Sequence, residues 1–242
     1  MQPITTAVIL AAGLGMRLRD TFSGKPKGLL SIGGVPLVER SIQQLIAHGI
    51  HDIIIVTGYL AEEYEALADA YPTVRTVHNP SYADSGSMYS LYCARDAITG
   101  PFLLLESDLL YESRALSTLL NSPFEAAILV SGFTQSGDEV YIETRDDYFY
   151  HMSKERRELQ HIVGELVGIS KISNTLFEKM IAYSSAYFQK SLHLHYEDGC
   201  LNQVAKETQI PICFVPDLLW TEIDNAAHLH RAESVIWPQI AP

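Results

Sequence analysis

The residues that can do chemistry begin at the amino-terminal glycines. Leu10-Ala11-Ala12-Gly13-Leu14-Gly15-Met16-Arg17-Leu18 follows an apolar run, and Arg17, Arg19, Lys25 and Lys27 crowd four of the chain's 17 Lys and Arg residues into one short stretch. Glycines there let backbone N–H groups close on an anion with no Cβ in the way. Two familiar phosphate loops do not fit. The dinucleotide fingerprint wants a glycine where Leu18 stands, and the P-loop wants Ser or Thr after Gly24-Lys25, where Pro26 stands. A bare turn between strand and loop is the alternative, but it has no need of Arg17 and Lys27. Lys25 either assists them or is a solvated surface charge.

Two aspartates follow the same logic. Asp108, in Leu104-Leu105-Glu106-Ser107-Asp108-Leu109, and Asp224, in Trp220-Thr221-Glu222-Ile223-Asp224-Asn225, each end an expected strand, the edge at which open α/β sheets bind ligands. Two carboxylates brought together are unfavourable without a cation, and Mg2+ accepts one or two of them with phosphate oxygens and water. Either aspartate can instead cap a helix, Asp224 especially, ahead of Asn225-Ala226-Ala227-His228. Glu106 and Glu222 are expected on the opposite strand face from Asp108 and Asp224 and stand as second choices.

Elements of two periods must position these groups. Apolar runs at Ile4–Ala11, Ile53–Val56, Val74–His78 and Phe102–Glu106 read as strands. Val38, Ile42, Leu45 and Ile46 recur at helical spacing before the stop His48-Gly49. Further helices are expected over Ala61–Ala70 and after Ser85, which can cap a helix carrying Met88, Leu91 and Tyr92 inward. The alternation predicts an α/β fold with a mostly parallel, Rossmann-like sheet flanked by helices. Residues 132–161, rich in Tyr, Asp, Glu and Arg, predict a small antiparallel side lobe or an excursion over the site. Strand-like Ile162–Ile172, a helical stripe through Leu176, Phe177, Met180 and Ile181, a helix over Glu197–Glu207, strands Ile212–Val215 and Leu219–Ile223 and a last helix from Asn225 complete the chain. One domain spanning 1–242 accounts for all of it.

Composition excludes several classes. Against 17 Lys and Arg stand 29 Asp and Glu, a formal net charge of −12, which opposes general nucleic-acid binding but permits a few local cations on a phosphorylated ligand. No apolar run approaches the roughly 20 residues of a membrane span. The amino terminus lacks the charged n-region of a signal peptide. Cys93, Cys200 and Cys213 lack disulfide-framework or metal spacing, so a reducing cytoplasm is expected.

Leu10–Leu18, Lys25-Pro26-Lys27-Gly28-Leu29-Leu30 and Gly33-Gly34-Val35-Pro36-Leu37, in that order, resemble the signature of the nucleotidyltransferases that activate a phosphate ester with an NTP. The resemblance implies that Leu10, Ala11, Ala12, Gly13 and Gly15 wrap the nucleotide, Arg17 holds the triphosphate and Lys27 contacts the reacting phosphates. It makes Asp108 and Asp224 the magnesium ligands and assigns base selection to backbone near Ala12 and Gly58-Tyr59. The implied reaction is in-line attack of a phosphate or phosphonate oxygen on the α-phosphorus, with pyrophosphate leaving. No covalent nucleophile is needed, and the His193/His195 and His228/His230 pairs are read as structural.

Ser85-Gly86-Ser87-Met88-Tyr89-Ser90-Leu91-Tyr92, Gly164–Ser173, Tyr196-Glu197-Asp198 and Trp220–Asp224 resemble the branch that uses CTP to activate small amino-alcohol phosphates and phosphonates. Hexose-1-phosphate enzymes share only the first loop. The acceptor turns on its cationic end. A quaternary ammonium requires an aromatic cage, for which Tyr82, Tyr89, Tyr196 and Trp220 are available. A primary ammonium requires acceptors in hydrogen-bond reach, for which Glu165, Glu197 and Asp198 are available. Core packing is the competing role of each aromatic. Ser85 and Ser87 before a helix suit a phosphonate oxyanion, and Gly86–Leu91 resembles the 2-aminoethylphosphonate branch more than the phosphocholine branch, so the resemblance favours 2-aminoethylphosphonate. Small-molecule partners, no nucleic acid, no membrane insertion and a homodimer through the variable lobe are expected. A silent nucleotide-binding regulatory module is the rival from another class.

Overall fold

The computed structural model describes residues 3–15 and 24–241. The first half of the chain is built from β1 (Thr6–Ala11), the short pair β2 (Ser31–Ile32) and β3 (Val35–Pro36), α1 (Leu37–Ala47), β4 (Asp52–Thr57), α2 (Ala61–Ala68), β5 (Val74–His78), α3 (Ser87–Cys93), β6 (Phe102–Glu106), β7 (Leu109–Tyr111) and α4 (Arg114–Asn121). The second half adds β8 (Ala127–Ser131), β9 (Tyr141–Arg145), β10 (Tyr148–Ser153), β11 (Ile162–Ile172), α5 (Asn174–Tyr187), α6 (Asn202–Val204), β12 (Ile210–Val215), β13 (Trp220–Glu222), α7 (Ala226–Arg231) and α8 (Trp237–Ile240). Among these described helices none is long and apolar enough to cross a membrane.

A nine-stranded sheet in the order β5-β4-β1-β6-β11-β8-β12-β10-β9 forms the centre. β10 and β11 run against the other strands. β1 is buried at every position, which is why it reads as a continuous apolar run: helices cover both faces. Ala7, Ile9 and Ala11 face a core shared with Val38, Ile42 and Leu45 of α1, Tyr64 of α2 and Leu116 and Leu119 of α4. Val8 and Leu10 face the opposite core, with Met88 and Leu91 of α3 and Leu176 and Met180 of α5. Tyr92, expected inward, is only half-buried and stacks on Tyr89.

The 132–161 segment is a strap followed by the hairpin β9–β10. The hairpin is joined into the central sheet: β9 pairs with β11 and β10 with β12, so β11, β8, β12, β10 and β9 close a ring of pairings. The helix expected over Glu197–Glu207 is a single wide turn, Tyr196–Leu201, running into α6. β7 and β13, a separate two-stranded ribbon, pair Leu109 with Glu222 and Tyr111 with Trp220. One rung further, the Ile223 N–H donates to the Asp108 carbonyl at 3.0 Å. That ribbon aligns the chain around Asp108 with the chain around Asp224.

Candidate active site

Two adjoining cavities open along the sheet. One, of about 270 Å³, is lined by Leu10, Ala11, Ala12, Gly13, Gly15 and Lys27 on one side and by Ser85, Ser87, Tyr196 and Glu197 on the other. The second, of about 350 Å³, is lined by Thr134, Ser136, Asp138, Glu165, Asp198, Trp220 and Glu222, among others. Glu106, His195 and Glu197 border both. Gly15 adopts φ 59°, a left-handed conformation that favours glycine, and a Cβ there would stand 3.3 Å from the Lys27 stem. Arg17 and Arg19 lie outside the described residues.

Lys27 lies at the first cavity's floor. Its Nζ donates to Asp108 Oδ2 at 3.1 Å and to Asp224 Oδ1. Burial works against the ammonium, but Asp108 and Asp224 outweigh it and hold its pKa above the ordinary lysine value. Burial likewise works against the Asp224 carboxylate, and Lys27 more than compensates, keeping it below the usual carboxylate range. Asp224 is not the cap of the last helix. Asn225 is, its side chain accepting from the Ala227 and His228 N–H groups, which leaves Asp224 to the site.

Glu106 and Glu222 do not face away. Carboxylate oxygens of Glu106, Asp108 and Glu222 lie within 4.8 Å of one another. Residues two apart on a strand share a face, so the alternation that seemed to separate Glu106 from Asp108 joins them. Burial, then Asp108 and Asp224, push the Glu222 carboxyl up to about 9. Burial, with Glu197, Glu222 and Asp108, raises Glu106. Buried carboxylates in mutual repulsion, all oxygen donors, match what a hard divalent cation takes.

The remaining residues divide. Ser85 does not cap α3; Gly86 stands at that position without a side-chain bond, and the Ser85 hydroxyl instead accepts from Asn79 Nδ2 at 3.0 Å. Ser87 donates to Glu197 at 2.9 Å. Glu165 is 1 % exposed yet paired, accepting from the Thr134 N–H and hydroxyl at 2.5 and 2.9 Å, and burial raises its pKa. Asp198 is exposed at the second cavity's rim. Gly58 sits behind the loop rather than on the cavity wall: a Cβ there would meet Tyr82 Cβ at 2.5 Å and the Ala12 carbonyl at 2.6 Å.

Of the four aromatics, Tyr82 and Tyr196 share the first cavity, Trp220 lines the second and Tyr89 lines neither. Tyr89 packs on Tyr92 and Phe188. Tyr196 is buried with its hydroxyl donating to Glu106 at 2.7 Å. Trp220 donates from Nε1 to Ser131 at 2.8 Å while an edge lines the second cavity. Sequence reasoning missed Asp138, Lys154 and His228 on that cavity's wall. Asp138 and Lys154, which pair at 2.7 Å, carry no spacing signal, because a strap and a hairpin bring them together.

A family model for the MobA-like NTP transferase domain matches residues 7–236. The chain belongs to that family. This NTP transferase domain is a nucleotidyltransferase, and several of its relatives are named cytidylyltransferases. Choline-phosphate cytidylyltransferase of Streptococcus pneumoniae is 28% identical over 237 residues, covering 95% of this chain and 97% of that protein. 2-Aminoethylphosphonate cytidylyltransferase of Lancefieldella rimae is 38% identical over 106 residues, 43% of each chain. The solved CTP:phosphocholine cytidylyltransferase of S. pneumoniae superposes with a TM-score of 0.75 at 26% identity, covering 96% of this chain and 99% of that one. The fold is also that of the inositol-1-phosphate CTP transferase of T. maritima, with a TM-score of 0.80 at 19% identity over 100% of this chain and 99% of that one.

Proposed function

We propose that this NTP transferase domain is a magnesium-dependent cytidylyltransferase that moves CMP from CTP to 2-aminoethylphosphonate and releases pyrophosphate. The observation that carries the acceptor is the second cavity's wall. Glu106, Asp138, Glu139, Glu165, Glu197, Asp198 and Glu222 border it, with Trp220 as its one non-histidine aromatic among the described residues. Carboxylates serve an ammonium that has N–H groups to donate; a quaternary ammonium has none and relies on ring faces.

In this reading CTP lies along Leu10–Gly15 and the acceptor reaches from the shared wall into the second cavity. A phosphonate oxygen attacks the α-phosphorus, the bond to the β-phosphate oxygen breaks, and pyrophosphate carries away the electron pair. Asp108 and Asp224, with Glu106 and Glu222 close by, would hold magnesium, which would supply charge neutralisation at the phosphates. Lys27 adds a permanently charged ammonium there, and Arg17 is assigned to the triphosphate. These groups lower the barrier by position and field rather than by covalent chemistry.

Full-length similarity to the choline-phosphate enzyme favours phosphocholine as the second reading. Pyrophosphate release separates the two, measured with CTP, ATP, GTP and UTP against 2-aminoethylphosphonate, phosphoethanolamine and phosphocholine. The expected result is a kcat/KM at least tenfold higher with CTP and 2-aminoethylphosphonate. Preference for phosphocholine overturns the acceptor, and no release with any pair overturns the enzyme.

A further inference from the structure

His228, on α7, is 4 % exposed, and a buried imidazole needs partners at both ring nitrogens. Its Nε2 lies 3.1 Å from the Ser136 carbonyl oxygen. A carbonyl only accepts, so Nε2 carries the proton. Nδ1 is then bare, and it accepts the Asp224 N–H at 3.3 Å. One neutral ring therefore joins the backbone beside the Lys27–Asp224 pair to the backbone of the strap, residues 132–140. Thr134, Ser136, Asp138 and Glu139 of that strap line the acceptor cavity.

The strap is also held in an unfavourable shape. Gln135 adopts φ 57°, in the left-handed region where a side chain bearing Cβ persists only when its surroundings over-determine it. Its two neighbours supply that constraint. Thr134 is tied to Glu165 through both its N–H and its hydroxyl, and Ser136 is tied to His228. Further along, Asp138 is tied to Lys154.

We infer that His228 is a positioning residue: its Nε2 bond to Ser136 latches the strap that walls the acceptor cavity to α7, while the Asp224 N–H at Nδ1 orients the ring, so that acceptor affinity depends on the Ser136 bond. The kinetic arm of this inference rests on the transfer reading above; the exchange arm does not. Two substitutions split the ring's two bonds. His228→Asn keeps an acceptor near the Nδ1 position and loses the donor to Ser136. His228→Gln keeps a donor near the Nε2 position and loses the acceptor for Asp224. His228→Asn is expected to raise the acceptor KM at least fivefold, with kcat and the CTP KM changed less than twofold. In His228→Gln the acceptor KM stays within twofold of wild type. Amide hydrogen exchange over 134–138, read in the same proteins without substrate, should speed up at least tenfold in His228→Asn and remain protected in His228→Gln. Equal exchange in the two variants, or a His228→Asn defect in kcat with no change in KM, overturns the latch. Failure of the wild type to release pyrophosphate with any acceptor overturns the transfer reading instead, and the exchange measurement still decides the latch.

Discussion

At the scale of single residues, the site is governed by a lysine held among carboxylates. Lys27 remains charged although burial opposes it, because Asp108 and Asp224 contribute more than desolvation removes. An ammonium so placed needs no proton adjustment as phosphate charge builds, and losing either member of the pair strands the other in a poorly solvated place. Lys27→Ala and Asp108→Asn are each expected to lower kcat more than tenfold while circular dichroism stays that of the wild type. Wild-type turnover in either variant removes that residue from the mechanism. Glu165 behaves differently. Its folded-state pKa is raised by burial from the ordinary 4.5, so its contribution to stability is present below pH about 4.5 and is lost as pH rises through the folded value. Glu165→Gln keeps the shape without the charge. Urea denaturation should show the variant gaining on wild type as pH climbs from 4.5 to 8, and a difference constant across that range would deny the buried charge its role.

At the scale of elements, the nucleotide loop depends on contacts made behind it. Gly58, at the end of β4, lets Tyr82 and the Ala12 carbonyl approach to distances that leave no room for a methyl group. Gly58→Ala should destabilise the fold by about 1–3 kcal/mol through overpacking, read as a lower urea midpoint, and should raise the KM for CTP because Ala12 is what the methyl displaces. An unchanged KM for CTP would show that the loop does not transmit that displacement. The ribbon β7–β13 acts in the same way for the carboxylates, since its register continues through Ile223 and Asp108. Pattern alone marks β1, β4, β6 and β11, apolar runs buried along most of their length, and β5, which is only half-buried. It marks β13 within the strand expected over Leu219–Ile223 but is silent on β7, three residues long, because so short a strand carries no periodicity and is stabilised by pairing.

At the scale of the whole molecule, the charge of −12 is distributed rather than uniform: carboxylates gather at the second cavity, and Lys27 with the glycine loop lines the first. A ligand that binds only this folded arrangement stabilises it by mass action, about 2.7 kcal/mol at a hundredfold excess over Kd. CTP with magnesium should therefore raise Tm measurably, and more than GTP does; equal shifts would remove base selection from the loop. What the sequence determined by itself was chemistry of local origin: a glycine loop with cations at short spacing, apolar runs that had to be buried strands, and aspartates at strand ends. Tertiary structure decided which of these groups meet. Asp224 joins Lys27 through a ribbon from the far end of the chain, Glu106 and Glu222 join Asp108, Tyr89 packs away from both cavities, Tyr196 lines the first and Trp220 the second, and a strap and His228 complete the second cavity's wall. The physical reason is that residue type and spacing specify what a segment can do, whereas long-range pairing and burial specify which segments stand within a hydrogen bond of one another.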